Sequence, residues 1–405
     1  MLTRVGVPVE VEAEPSAPNP EPATLICFSH LRWNFVFQRP QHLMSRFARE
    51  MNLIYWEEPL DIAANEIPFL QVRDDEDGRN VRIIVPHLPN GMPQDAREAT
   101  LKRLLDAHLA SHHGPIVTWY YTPMMLPFSR HLEPDVTVFD AMDELSKFKF
   151  APAKLLDLEQ ELIDRADIVF TGGSSLFEAK KDRHDNVHCF PSSVDRAHFC
   201  KARARQFDPA DQEDLPKPRL GFYGVIDERF DTELLAKAAE MRPDWSFVMV
   251  GPVVKISEED LPRRSNIHYL GSKTYQQLPG YLSGWDVALM PFAMNESTQF
   301  ISPTKTPEYL AGGKPVVSTP IRDVVRHYGQ LEGVKIASTA DEFVAACDEA
   351  MELSRHPESG WLAEADLTLS ASSWDTTQAR MAGLMADVLG TRAGANAGAL
   401  LVAAE

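Results

Sequence analysis

Residues 302–318 read Ser302-Pro-Thr-Lys-Thr-Pro-Glu-Tyr-Leu-Ala-Gly-Gly-Lys-Pro-Val-Val-Ser318. Ser-Pro-Thr is a helix-start signal, Gly312-Gly313 a stop, and Pro315 to Ser318 a short buried strand. The free amides of a helix start, with Lys305 in the first turn and Glu308 one turn on, can hold a diphosphate and a sugar-ring diol. Ser302 and Thr304 sit where hydroxyls and amides would face a phosphate. The plainer alternative makes Ser302 an N-cap and Lys305–Glu308 an i,i+3 ion pair of about 0.2–0.5 kcal/mol.

The same strand–helix alternation runs through the chain on both sides. Apolar runs at Thr24–Phe28, Leu53–Trp56, Val81–Val85, Pro115–Tyr120, Val136–Phe139 and Ile168–Thr171 are separated by helical patterns such as Gln41–Met51 and Pro152–Arg165. After a polar stretch rich in Pro and Asp, the alternation resumes at Arg219–Val225, Ser246–Val250, Ile267–Leu270, Val287–Met290 and Val334–Ile336. This pattern implies an α/β protein with two doubly wound Rossmann-like domains facing a central cleft. The expected divisions are a disordered tail over 1–22, a first domain over 23–199 and a linker over 200–218. A second domain over 219–370 follows, then a helix over 371–390 and a disordered tail over 391–405.

The composition narrows the function. With 405 residues, 44% hydrophobic and 24% charged, the chain can bury two ordinary cores. A net charge of −19 argues against general nucleic-acid binding. Cys27, Cys189, Cys200 and Cys347 show no metal or disulfide spacing. No signal peptide or spanning segment is apparent, so a cytoplasmic protein is expected, at most peripheral at the inner face of the plasma membrane. No Gly-x-Gly-x-x-Gly follows the first strand, which argues against a dinucleotide dehydrogenase. Asp75-Glu-Asp77 is the one Asp-x-Asp, and it falls outside the strand ends and the helix start that carry the candidate site, so neither a metal nor a cofactor is implied.

The ordered landmarks Gly221-Phe-Tyr-Gly224, Phe247-Val-Met-Val-Gly-Pro252, Asn266-Ile-His-Tyr-Leu-Gly271, Trp285–Phe292 and Lys305–Val317 resemble the donor domain of a GT-B glycosyltransferase of family four. Ala166–Phe170, Cys189–Asp195 and the segment Phe28–Leu43 resemble its N-terminal half, the last as in a bacterial cell-envelope subgroup. The resemblance spans roughly residues 24–390. It implies a nucleotide diphosphate sugar as donor, with the diphosphate near Ser302, Thr304, Lys305 and Gly224 and the ribose on Glu308. Arg229 is a shifted candidate for the family's diphosphate arginine, because Val225 stands in the usual place. A glutamate common in the family, eight residues before Glu308, is Phe300 here, so the sugar contact is lost. The family leans toward retention of configuration.

On the acceptor side, Asp140-Ala-Met-Asp143 lies at the carboxyl end of a strand. Asp143, and second Asp140, could take or orient the acceptor proton; an N-capping aspartate is the alternative. The segment Ser29–Arg49 holds four arginines and no carboxylate. Its His30, Trp33 and Arg39 are expected at the cleft, meeting a glycan or lipid-linked acceptor, and its helix could lie on an anionic membrane. Asn295 and Thr298 are further donor-loop candidates. A UDP-sugar 2-epimerase of the same architecture and a catalytically silent partner-binding subunit are the rival functions.

Overall fold

The structure, a computed structural model, describes residues 22–149, 151–204 and 208–402. The segments 1–21 and 403–405 of the expected tails lie outside the described residues.

The first sheet is built from β1 (Thr24–Ser29), β2 (Asn52–Glu57), β3 (Leu60–Ile62), β4 (Phe69–Asp74), β5 (Val81–Pro89), β6 (Ile116–Tyr120), β7 (Val136–Ala141), β8 (Ile168–Thr171) and β9 (Val187–Cys189). Its order is β3-β5-β2-β1-β6-β7-β8-β9, with β4 antiparallel on β5 and every other pairing parallel. The second sheet holds β10 (Arg219–Tyr223), β11 (Ser246–Val250), β12 (Ile267–Tyr269), β13 (Val287–Met290), β14 (Val316–Ser318) and β15 (Val334–Ile336). Its order is β12-β11-β10-β13-β14-β15, parallel throughout.

Strands such as Leu25-Ile-Cys-Phe28 and Phe247-Val-Met-Val250 are apolar without alternation because helices cover both faces of a parallel sheet. Two clusters of buried side chains accordingly sandwich the first sheet, one holding Leu25 and Trp119, the other Ile26 and Trp56. The strand order reverses between β1 and β6 and again between β10 and β13. Ligand crevices of doubly wound sheets open at such switch points, beyond the carboxyl ends of the strands.

Sequence and structure differ in places. β3, β4 and β9 are edge strands whose side chains are exposed or half-buried, and the patterning gives no sign of them. The helix of the opening motif begins at Lys305, with Thr304 rather than Ser302 at the N-cap and no side-chain cap bond. The last helix runs Trp374–Val402, past Leu389 and through most of the expected tail. Trp374, Met381 and Met385 pack into the first domain's core beside Leu43 and Trp119, and the His42 ring stacks on Trp374 at 4.6 Å. Among the described residues, no helix is long and apolar enough to cross a membrane.

Candidate active site

The carboxyl ends of both sheets line one interdomain cleft, which encloses about 1220 Å3 of space open to solvent. Its second-domain wall starts where β10 ends. Gly224 (φ +145°) and Gly251 (φ +140°) lie side by side in backbone conformations that L side chains rarely adopt. A Cβ on Gly251 would run into the Gly224 carbonyl, and one on Gly224 into the end of the Lys305 side chain. Lys305 therefore lies directly over bare backbone.

The Lys305 ammonium forms no hydrogen bond or ion pair with any described residue, and its Nζ stands 5.8 Å from the Phe222 ring centre. Burial pushes its pKa down, against the opposing charges of Glu308, Asp227 and Asp143. The helix it opens has seven residues, so its dipole is short and the full charge of Lys305 dominates this corner. Ser302 and Thr304 line the same wall. The Ser302 carbonyl accepts from the Ser192 hydroxyl of the first domain at 2.6 Å.

Glu308, only 5% exposed, accepts a hydrogen bond from the Tyr223 hydroxyl at 2.9 Å. Burial pushes its carboxyl up to about 7, with Lys305, Tyr223 and Thr304 pulling the other way. Arg229 reaches the cleft but is not free. Asp227 holds it in a bidentate pair, Nη2 to Oδ2 at 2.6 Å and Nε to Oδ1 at 3.0 Å. Its outer face lies over the Phe148 ring at 5.2 Å, and Lys255 lies 4.7 Å from the same ring.

From the first domain, Asp143 faces these cations. It accepts no hydrogen bond from a described residue. Burial raises its pKa, while Arg229, Lys255 and Lys305 lower it. Among the described residues lining the cleft, Asp143 and Glu308 are the two carboxylates.

Of the other expected residues, Arg39 lines the cleft but is engaged by first-domain partners, and the rest lie away from it. Asp140 is fully buried and gives both oxygens to Arg39, at 3.0 Å to Nε and 2.8 Å to Nη2. The third Arg39 nitrogen donates to the Phe190 carbonyl at 2.7 Å. The two residues thus satisfy each other, and the Arg39 charge is not offered to the cleft. Trp33 is a core residue, edge-on to Tyr55 at 4.9 Å with its Nε1 donating to Asp75 at 2.6 Å. His30 does not line the cleft. Its Nδ1 is buried without a partner, and burial together with the Lys255 charge pushes its pKa down to about 4. Thr298 is buried, and its hydroxyl donates to the Ala293 carbonyl at 2.6 Å and accepts from the Asn295 amide at 3.0 Å. Both Thr298 and Asn295 thus shape their own loop.

Phe300, which stands where a carboxylate was expected, does not line the cleft either. Glu296 is 76% exposed and pairs with Lys147 at 3.5 Å. Tyr223, Lys255, Tyr275 and Phe148 were not singled out in the sequence. Lys255 follows a strand's carboxyl end, which is the signal that could have found it. Tyr223 reads simply as a strand aromatic.

Asp323 clasps the two domains. Its carboxylate accepts from the amides of Ser174 (2.8 Å) and Ser175 (3.0 Å) and from the Ser175 hydroxyl (2.6 Å). His327 shares a hydrogen bond with the Ser174 hydroxyl at 2.9 Å.

Two facing doubly wound domains, with the carboxyl ends of both sheets at one cleft, define the GT-B architecture. Solved structures of that shape agree along nearly the whole chain. Sucrose-phosphate synthase from Thermosynechococcus elongatus superposes with a TM-score of 0.65 at 17% identity, covering 92% of this chain and 100% of its own. An alpha,alpha-trehalose 6-phosphate synthase from Burkholderia multivorans gives 0.62 at 13%, covering 94% and 98%. Anabaena HepE in complex with UDP gives 0.60 at 12%, covering 90% and 99%.

In sequence, residues 217–352 match the family described as Glycosyl transferases group 1. A Bacillus subtilis (strain 168) protein, provisionally named the teichuronic acid biosynthesis glycosyltransferase TuaH, is 27% identical over 257 residues, 58% of this chain. The match spans 63% of that relative's length. The chain thus has the GT-B fold, and its second domain carries the match to the group-1 glycosyltransferases.

Proposed function

We propose that the protein moves a sugar from a nucleotide diphosphate sugar to a glycan or lipid-linked acceptor in cell-envelope polysaccharide synthesis. One observation carries the reading. An unpartnered Lys305 ammonium lies over Gly224, one helical turn from the buried Glu308 carboxylate, in a cleft between two nucleotide-type domains. In this reading the diphosphate lies against Lys305, Ser302, Thr304 and the Gly224–Gly251 backbone, with Arg229 alongside. Glu308 accepts hydrogen bonds from the ribose hydroxyls.

The leaving diphosphate gains charge as the glycosidic bond breaks. Lys305 stabilises that charge at no reorganisation cost, so the reading requires no bound metal. Asp143 is the acceptor-side carboxylate that would take or orient the attacking hydroxyl's proton. Burial raises its pKa, which strengthens it as a base toward that proton. Retention is favoured by family type, and an inverting reaction would make Asp143 the base. UDP or GDP is the proposed carrier, and the proposed location is the cytoplasmic face of the plasma membrane.

The reading is tested by incubating the protein with UDP- and GDP-sugars, with and without membrane-extracted acceptor. Nucleotide release that depends on acceptor supports transfer. Conversion of a sugar nucleotide to its epimer without acceptor would make the protein an epimerase. Binding with neither reaction would make it a silent subunit.

A further inference from the structure

We infer that a second crevice, behind the donor cleft, is a binding site for a phosphate group. The stacked rings of Phe37 and Tyr275, 4.5 Å apart, form a wall common to both cavities. Beyond them the crevice is lined by Arg46 and Arg49 from the end of the Arg39–Phe47 helix and its following turn, by Arg79 from the β4–β5 connection, and by His42. Among its lining residues, Asp195 is the one carboxylate.

Two of these groups are buried with unused hydrogen-bonding capacity. Arg46 is 9% exposed; its Nη1 donates to the His42 carbonyl at 2.9 Å and its Nη2 to Asp375 at 3.1 Å, but its Nε has no partner. His42 is 2% exposed and its Nε2 is likewise unpartnered. Buried donors are ordinarily satisfied, and a charged one without an acceptor marks a place where an acceptor is missing.

The aspartates around the crevice do not fill it. Asp375, which also holds Arg49 at 2.9 Å, is 59% exposed, as is Asp77 beside Arg79. Exposed ion pairs of this kind are weak and readily exchanged. Asp75 is buried but shared between Arg79 and the Trp33 indole. A phosphate oxyanion could draw Arg49 and Arg79 from their rim partners, and Arg46 could present its Nε by turning from the exposed Asp375, with the shorter, charge-assisted bonds that guanidinium forms with phosphate. The inference is independent of the proposed sugar transfer. A free phosphate ester and a phospholipid headgroup present the same chemistry.

The test is calorimetric titration of the full chain with inorganic phosphate and glycerol 3-phosphate, alongside flotation with phosphatidylglycerol and phosphatidylcholine vesicles. Saturable binding should weaken at least tenfold in Arg49→Gln/Arg79→Gln and be unchanged in Lys237→Ala, an exposed lysine outside both cavities. Arg46→Gln is the companion variant, used once a melting curve shows that it folds. Phosphatidylglycerol binding that the double variant loses and glycerol 3-phosphate displaces would assign a lipid source. Soluble binding without flotation would assign a free ester. Absence of saturable binding, unchanged binding in the double variant, or equal loss in Lys237→Ala would overturn the inference.

Discussion

Tyr223 donates its hydroxyl hydrogen to Glu308 at 2.9 Å, deep in the donor-side wall. The bond favours the ionised carboxylate that the proposed ribose contact uses, whereas burial opposes it. Tyr223→Phe should therefore weaken nucleotide binding by about 1 kcal/mol, roughly fivefold. It should also leave Glu308 more protonated at pH 7. Titration of the variant with a nucleotide sugar checks both effects.

Glu308 also sets a pH dependence. Its carboxyl is raised from the usual 4.5 to about 7. In the proposed site ribose hydroxyls donate to the ionised form, so affinity for a UDP-sugar should rise as pH climbs through about 7 and be flat in Glu308→Gln. Fold stability runs the other way. Between about 4.5 and 7 the folded state holds a proton that the unfolded chain has released, so this residue's contribution is lost as pH rises. Melting curves of wild type and Glu308→Gln should diverge across that window, with the variant gaining at the upper end.

Asp140 and Arg39 are read as a structural pair. Removing either partner alone leaves a buried charge and should cost about 3–5 kcal/mol of stability. Replacing both with apolar residues should restore much of it. A catalytic Asp140 would instead lower turnover in Asp140→Asn without a matching fall in melting temperature.

For Asp143 the opposite pattern is expected. Asp143→Asn should lower turnover by about a hundredfold or more, with donor affinity and melting temperature little changed. Equal loss of binding and turnover would make it a donor contact.

Asp323→Ala removes the acceptor for two amides and a hydroxyl across the domain boundary. The amides of Ser174 and Ser175 should exchange faster with solvent, and small-angle scattering should show a larger radius of gyration.

Much of the fold was legible because both sheets are parallel and covered on both faces. Runs such as Val136-Thr-Val-Phe139 and Val287-Ala-Leu-Met290 stand out from the polar segments between them. Edge strands β3 and β4 carry exposed side chains, so they left no such mark. The second domain's cleft wall was legible where it depends on local order: Gly224, Lys305 and Glu308 sit at strand and helix ends that the pattern itself placed. Pairing across the fold was not. Nothing local distinguishes Asp140, neutralised by an arginine 101 positions earlier, from Asp143, which faces the cleft. Trp33 and Thr298 fail for the same reason, since their partners Asp75 and Ala293 are chosen by tertiary packing and loop shape.

The most direct measurement is calorimetric titration of wild type, Lys305→Ala and Glu308→Ala with UDP, GDP and their sugars. Wild type should bind one nucleotide class at a single site. Lys305→Ala should weaken the diphosphate far more than the free nucleoside, and Glu308→Ala should weaken both. Absence of binding by every nucleotide, or equal affinity in all three proteins, would contradict a donor site at this wall.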